Sequence, residues 1–177
     1  SQAVLAYTDV IWRNACKYQA REYRHAFWDS GTILSNTLAM AAAYGLHAQV
    51  VAGFVDAELV RLLGLEARRE VPVALVPLGD PAGEVSGPVP DTGPLALETV
   101  PISDFEVGFP AVLEAHQASA LSDGAEVAAW CRGAGQAPPS TPRGRLFPLR
   151  PEDGQESVDT LESVVVRRGS TRRFAGE

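Results

Sequence analysis

Residues 133–156 (GAGQAPPSTPRGRLFPLRPEDGQE) interrupt the chain with proline, glycine and polar residues and carry neither helical nor strand periodicity. Proline removes a backbone donor and fixes φ, while glycine loses the most conformational freedom on ordering, so such a stretch resists both helix and sheet. It reads as a linker. Its position constrains the fold more than any other feature. A core has to be closed by residues before 133, and the apolar run after 156 opens something else. We therefore expect one folded zone over residues 1–132, a linker over 133–156 and the start of a second unit over 157–177.

Within the first zone, helical patterning extends over Tyr7 to Arg24 and gives way to Asp29-Ser30-Gly31, a set of helix N-cap residues. Ile33, Leu34, Leu38, Met40, Ala41, Ala42 and Tyr44 then form a helix with apolar or small residues on most faces. Such a helix is expected at the centre of a domain, with Gly45 as its left-handed stop. Val50-Val51 reads as a short strand. Asp56 is expected to cap a helix over Ala57 to Leu63 that Gly64 ends. Glu70 to Leu78 (EVPVALVPL) is a strand, and Pro72 and Pro77 place it near an edge or at strand ends. Residues 80–100 are rich in proline and glycine and read as a loop or extended arm. A helical pattern returns from Ser103 to Arg132, and Ser157 or Asp159 starts a last helix. The expected fold class is α+β.

Composition excludes several functions. The net charge of -7 disfavours a nucleic-acid partner, because phosphate-backbone binding needs a basic face. No apolar run is long enough to span a bilayer, no signal peptide is evident, and the expected location is cytoplasmic. Cys16 and Cys131 lie far apart without metal-type spacing, and His25, His47 and His116 are scattered, so no metal site is expected. The thiols are expected to be free or buried.

One basic cluster stands out, Arg167-Arg168-Gly169-Ser170-Thr171-Arg172-Arg173-Phe174. Arg168, Ser170 and Arg172 alternate, so on extended backbone their side chains fall on one side. Two planar guanidiniums and a hydroxyl there make a phosphate receptor, and Gly169 lets the backbone approach the anion. The same residues also fit a solvated basic tail. With nothing following the motif, we expect the body of its unit to lie beyond the sequence.

This segment, with the amphipathic run Val158 to Val166 before it, resembles the opening of a nitroreductase-family flavoprotein domain. The resemblance implies that Arg168, Ser170 and Arg172 hold the ribityl phosphate of FMN. A second, independent resemblance lies upstream. Lys17-Tyr18, Arg21, Tyr23-Arg24, Asp29-Ser30-Gly31, Asn36, Ala41 to Gly45, Gly53-Phe54 and Pro77-Leu78-Gly79 are similar to the C-terminal half of a nitroreductase domain, closest to the SagB-type dehydrogenase branch. Pro101-Ile102-Ser103, Phe109-Pro110 and His116-Gln117-Ala118-Ser119 resemble the arm and helix that follow that half. An end followed by a beginning implies tandem domains. A circular permutation, with the tail serving the N-terminal half, is the other arrangement. The implied fold is nitroreductase-like, an antiparallel sheet flanked by helices, incomplete in this chain and paired as a homodimer or internal pseudo-dimer.

The resemblance also implies residue roles. Ala52 and Gly53 fall where backbone N–H groups approach the flavin ring, and a position without bulk suits a ring lying against backbone. Gly53 equally fits a plain strand-to-helix turn. Many plain nitroreductases carry an acidic residue where this chain has Ala52. Lys17 and Tyr18 match a catalytic pair of azoline-oxidising members, Lys17 as base for a carbon-bound proton and Tyr18 orienting it. An apolar pocket lowers a lysine from its reference pKa of ~10.4 toward that use. A solvated surface lysine is the competing assignment. Arg21 and Arg24 are expected to bridge to Glu22 of a neighbour or to Asp29, Trp12 and Trp28 to sit in a core or dimer interface, and His116 to pack or cap.

The expected activity is FMN-dependent dehydrogenation of a small molecule or modified peptide, azoline rings going to azoles. Two alternatives stand beside it: an NAD(P)H-fed nitro or quinone reductase, and a flavin-free scaffold or peptide-binding partner.

Overall fold

The computed structural model describes residues 3–80, 92–98, 100, 103–133, 144–148 and 158–169. Strand β2, Glu70–Leu78, occupies the stretch expected for it and buries Val71, Pro72, Val73, Ala74 and Val76. It pairs antiparallel with β1, Ala3–Val10, from Ala3 opposite Leu78 to Val10 opposite Glu70. The register shifts between Tyr7, opposite Ala74, and Thr8, opposite Pro72. Val73 is therefore an extra residue, and this bulge sits beside the one β2 position in that region that has no N–H to give.

The other edge of β2 is not free. Val51 and Leu75 exchange both backbone hydrogen bonds (2.8 and 2.9 Å), and Gly79 N–H reaches His47 O at 2.9 Å. β2 is thus the middle of three extended segments, which corrects its expected place near an edge. Val50-Val51, expected as a strand, makes only an isolated bridge.

The helix expected from Tyr7 begins instead at Ile11. Residues 7–10 belong to β1, where Tyr7 Oη and Thr37 Oγ1 hydrogen-bond at 2.6 Å, and the Ile11 N–H meets Arg69 O at 3.0 Å. Helix α1, Ile11–Tyr18, buries Ile11 and Ala15 one turn apart against Val71 and Val112. Tyr23, Phe109 and Leu113 close the cluster.

Between α1 and the next helix lies a 3-10 turn, Gln19–Arg21, in which Gln19 has φ 55° and ψ −139°. A residue with a Cβ is strained there, at a cost on the order of 1 kcal/mol. Gln19→Gly is therefore expected to raise stability by about 0.5–1 kcal/mol, read as a higher urea midpoint at unchanged slope.

Helix α2 runs unbroken over Glu22–Ala43. Asp29-Ser30-Gly31 consequently lies inside it rather than capping it. Just beyond this triplet, short polar side chains bond back to the helix's own carbonyls, Thr32 Oγ1 on Asp29 O and Asn36 Nδ2 on Thr32 O. Gly45, with φ 66°, ends α2 as expected: Leu46 N–H returns to Ala41 O and Gly45 N–H to Ala42 O, a Schellman pair. The expectation that the apolar stretch 33–44 is buried fails. Only Ala41 is buried there, whereas Ile33 and Tyr44 are exposed, because among the described residues no element covers that face.

Helix α3, Asp56–Leu63, also closes in a Schellman pair at Gly64 (φ 66°), with Leu65 N–H on Val60 O. Residues 92–97 run along it, Leu95 N–H meeting Leu62 O at 2.7 Å. Asp56 is the first helical residue and makes no cap bond. Its carboxylate instead accepts Leu121 N–H at 2.9 Å. The helical pattern expected from Ser103 splits into α4, Pro110–Ser119, and α5, Gly124–Gly133. Residues 103–109 stay irregular because Pro110 sets the first turn and because Glu106 is forked by Arg69 (Nε to Oε2 2.6 Å, Nη2 to Oε1). That fork holds the Glu106 carboxyl below its usual range and the guanidinium above its own.

The chain divides into two units, residues 1–137 and 138–177. In the second, α6, Leu161–Arg167, starts at Thr160, whose Oγ1 accepts Ser163 N–H at 3.3 Å, and not at Ser157 or Asp159. Arg167 pairs with Asp159 at 2.6 Å. Among the described residues no helix is long and apolar enough to cross a membrane.

Candidate functional site

A cavity of about 380 Å³ opens between α2, β2, the loop after α2, α4 and α5. Its volume lies in the range of small-molecule sites. Phe27 and Leu34 of α2, Phe54 and Trp130 supply apolar walls, while Ser30, Asp56, His116 and Ser119 bring polar atoms. Tyr23 Oη and Ser119 Oγ hydrogen-bond directly, and Ser119 Oγ donates to His116 O at 3.0 Å.

His116 Nε2 faces Asp56 Oδ1 at 3.8 Å. Burial pushes the imidazole below its ordinary pKa, against the opposing pull of the Asp56 charge. Near neutral pH the ring is therefore uncharged, with a nitrogen to donate or accept. Expected to pack or cap, His116 instead lines the cavity. Nothing in the sequence could link it to Asp56, because the fold alone brings these distant positions together.

The expected site residues separate into groups. Ala52 lines the cavity, and Gly53 beside it lies against Trp130 and Cys131. Lys17 and Tyr18 are not among its lining residues. Lys17 is exposed, with Nζ 5.0 Å above the Tyr18 ring, and Tyr18 stacks on His25 at 3.7 Å, which meets Trp28 edge-on. Arg24 lies over Trp28 (5.7 Å) rather than on Asp29, whose carboxylate accepts from Asn14 at 3.2 Å. Trp28 is exposed, and Trp12 is half-buried with its indole nitrogen enclosed. In the second unit Arg168 is exposed at the C-terminal end of α6. Ser170 and Arg172 lie outside the described residues. Cys16 and Cys131 are free, and among the described residues no cluster of His, Cys, Asp or Glu is arranged to hold a metal.

An acidic group was not foreseen. Glu22 is fully buried, with both carboxylate oxygens enclosed and lacking a partner in hydrogen-bonding geometry. Burial first, then the charge of Asp9, raises its pKa to about 7; Asn14 opposes the shift and Asp29 adds to it. Asp9 is raised as well, by burial, Asp29 and Glu70, with Arg13 opposing.

The α+β architecture, a central antiparallel pair flanked by helices, is that of the nitroreductase fold. Residues 3–80 match the model of the Nitroreductase family. The structure is similar to a crystal structure from Anabaena variabilis ATCC 29413, assigned by inference as a nitroreductase, with a TM-score of 0.51 and 23% identity. That likeness covers 68% of this chain and 25% of the other, so the chain spans about a quarter of that protein's length. No curated protein matches the chain.

The cavity suits the ring of FMN in size and apolar character, and Ala52 presents little bulk at its wall. No lysine or arginine lines it, so a phosphate would have to be held from elsewhere.

Proposed function

We propose that the chain is part of an FMN-dependent oxidoreductase of SagB type that dehydrogenates a small molecule or modified peptide, with azoline rings as the substrate. The observation that carries this is the position of Ala52: it lines an apolar cavity beside Gly53, within the segment that matches the Nitroreductase family. Bound FMN would supply hydride acceptance. In this proposal Ala52 and Gly53 present backbone to the ring, and Arg168, Ser170 and Arg172 form a phosphate grip at the head of a second, tandem domain.

Lys17 is proposed to take the substrate's carbon-bound proton. Its support is the Lys17-Tyr18 pair itself, which resembles that of azoline-oxidising members; the exposure of Lys17 and its cation–π contact with the Tyr18 ring favour the ammonium, so a bound substrate would have to desolvate the amine before it could act as a base. The open groove along α2 and the sheet, with Leu5, Ile33, Met40, Tyr44, Leu46 and Leu78, supports pairing with a second such fold, as a homodimer or within one longer chain.

Adding FMN to the full chain tests the assignment. Protein-bound flavin absorption after gel filtration is expected, and Arg168→Ala with Arg172→Ala is expected to weaken retention by about tenfold or more, as loss of charge-assisted phosphate contacts implies. A chain that retains no flavin is a scaffold, the alternative that one observation favours: Trp130 already gives Gly53 a structural reason to be glycine.

A further inference from the structure

Gly53 is where the loop after α2 meets α5. A Cβ placed on it would stand 2.9 Å from Trp130 Cε3, 3.1 Å from Cζ3 and 3.3 Å from Cys131 Sγ. The Gly53 backbone is not in the left-handed region, so its φ does not demand glycine. The benzo edge of the Trp130 indole does.

Helix α5 has no buried residue. Its first turn is tied down, with Asp123 Oδ1 accepting from Ala125 and Glu126 N–H, and Glu126 accepting from Ser122 N–H. Farther along, Trp130 and Cys131 supply the contact with the loop. The indole is 47% exposed and lines the same cavity as Ala52. An indole fixed at one edge and lining an apolar cavity presents a flat π surface, which favours offset stacking with another planar ring.

We propose that Trp130, seated on Gly53, is the ring-selecting residue of this cavity: its indole stacks on a planar heteroaromatic ligand such as isoalloxazine. This rests on the flavin assignment above, keeps Ala52 as the backbone wall and replaces the backbone role of Gly53 with a specific side-chain wall. Gly53 then serves the indole, and through it the ligand, rather than giving its own backbone to the ring. Selection follows from shape, because a flat ring keeps full contact with the indole whereas a branched aliphatic group does not.

Lumiflavin, which carries the ring without the ribityl phosphate, is the probe, titrated into the full chain and followed by quenching of its fluorescence. Trp130→Ala is expected to raise the Kd about tenfold and Trp130→Phe to keep it within about threefold of wild type. Gly53→Ala is expected to weaken binding like Trp130→Ala, and to add no further loss when the indole is already gone. Thermal melts of each variant show that binding is compared between folded chains.

Equal lumiflavin affinity in wild type and Trp130→Ala overturns the proposal. So does a Gly53→Ala loss of the same size with and without the indole, which would assign Gly53 to direct backbone contact and leave the flavin assignment standing. Absence of lumiflavin binding to the wild-type chain also overturns it, and FMN retention by the full chain then decides the flavin assignment separately.

Discussion

Replacing Glu22 by glutamine is expected to stabilise the chain above pH 7 and to remove much of its loss of stability as pH rises from about 5 to 8. Glu22 is fully buried, and neither oxygen has a partner in full hydrogen-bonding geometry, Asn14 giving only partial compensation for lost water. Its pKa rises from 4.5 to about 7 on folding, through burial first and the Asp9 charge second. Between those values the folded chain holds a proton that the unfolded chain releases, so stability falls as pH rises. The contribution is fully present below pH 4.5 and is lost as pH passes through about 7. The full shift corresponds to ~3 kcal/mol, and relaxation around the carboxyl reduces it to ~2 kcal/mol. Glutamine keeps the shape and never ionises. Urea midpoints of both proteins at pH 5 and pH 8 decide the matter: a wild-type-to-variant difference that does not change with pH would remove Glu22 as the cause. The depressed His116 works in the opposite sense, since its penalty appears only as pH falls below the ordinary histidine range.

Truncating Ile11 to alanine is expected to cost about 3 kcal/mol, in the middle of the range for large-to-small changes in a core. Ile11 is 3% exposed and joins α1 to Val71 of β2 and Val112 of α4. Among the described residues Ile11 packs on Val71 and Val112, both themselves buried, so the space left behind is not filled by solvent-side movement alone. Against the 5–15 kcal/mol typical of a domain, the loss would lower the melting temperature by roughly 10 °C or more. Calorimetry measures it directly. A shift within about 2 °C would mean that the cluster is not the core of the first unit.

Strand β2 and the two glycine stops were legible because each carries a local cause. The β-branched run of Glu70–Leu78 suits a pleated strand, and Gly45 and Gly64 accept the left-handed φ that closes a helix. β1 was missed because no breaker separates Val10 from Ile11: the chain passes from strand to helix between two β-branched residues. Asp29-Ser30-Gly31 misled in the opposite way, since residues that favour caps are also carried inside a long helix, where the Asp29 carboxylate is taken up by Asn14 rather than by a free N–H of a first turn.

The candidate site divides along the same line. Ala52 and Gly53 were marked by the family resemblance, and the structure places Ala52 on the cavity wall and Gly53 against Trp130. Asp56 with His116, and Gly53 with Trp130, are pairs of positions far apart in sequence, and only the packing of α3, α4 and α5 on the sheet makes them neighbours. Glu22 was invisible for a similar reason: a glutamate in the first turn of a helix normally points to water, and only α1 and β1 folding over it make it an enclosed acid.

The segment Ala48–Val51 bridges the inner side of β2, but no described residue does the same for the outer side of β1. That edge carries the sequence AVLAYTDV, whose only charge is Asp9, and its first residues are exposed. Sheet edges in stable proteins are commonly blunted by lysine, proline or a bulge. Here the bulge lies on the partner strand, and the outer amides and carbonyls of β1 remain a template for another extended peptide. An edge of this kind is one to which an extended segment, from this protein or another, can add by backbone hydrogen bonds.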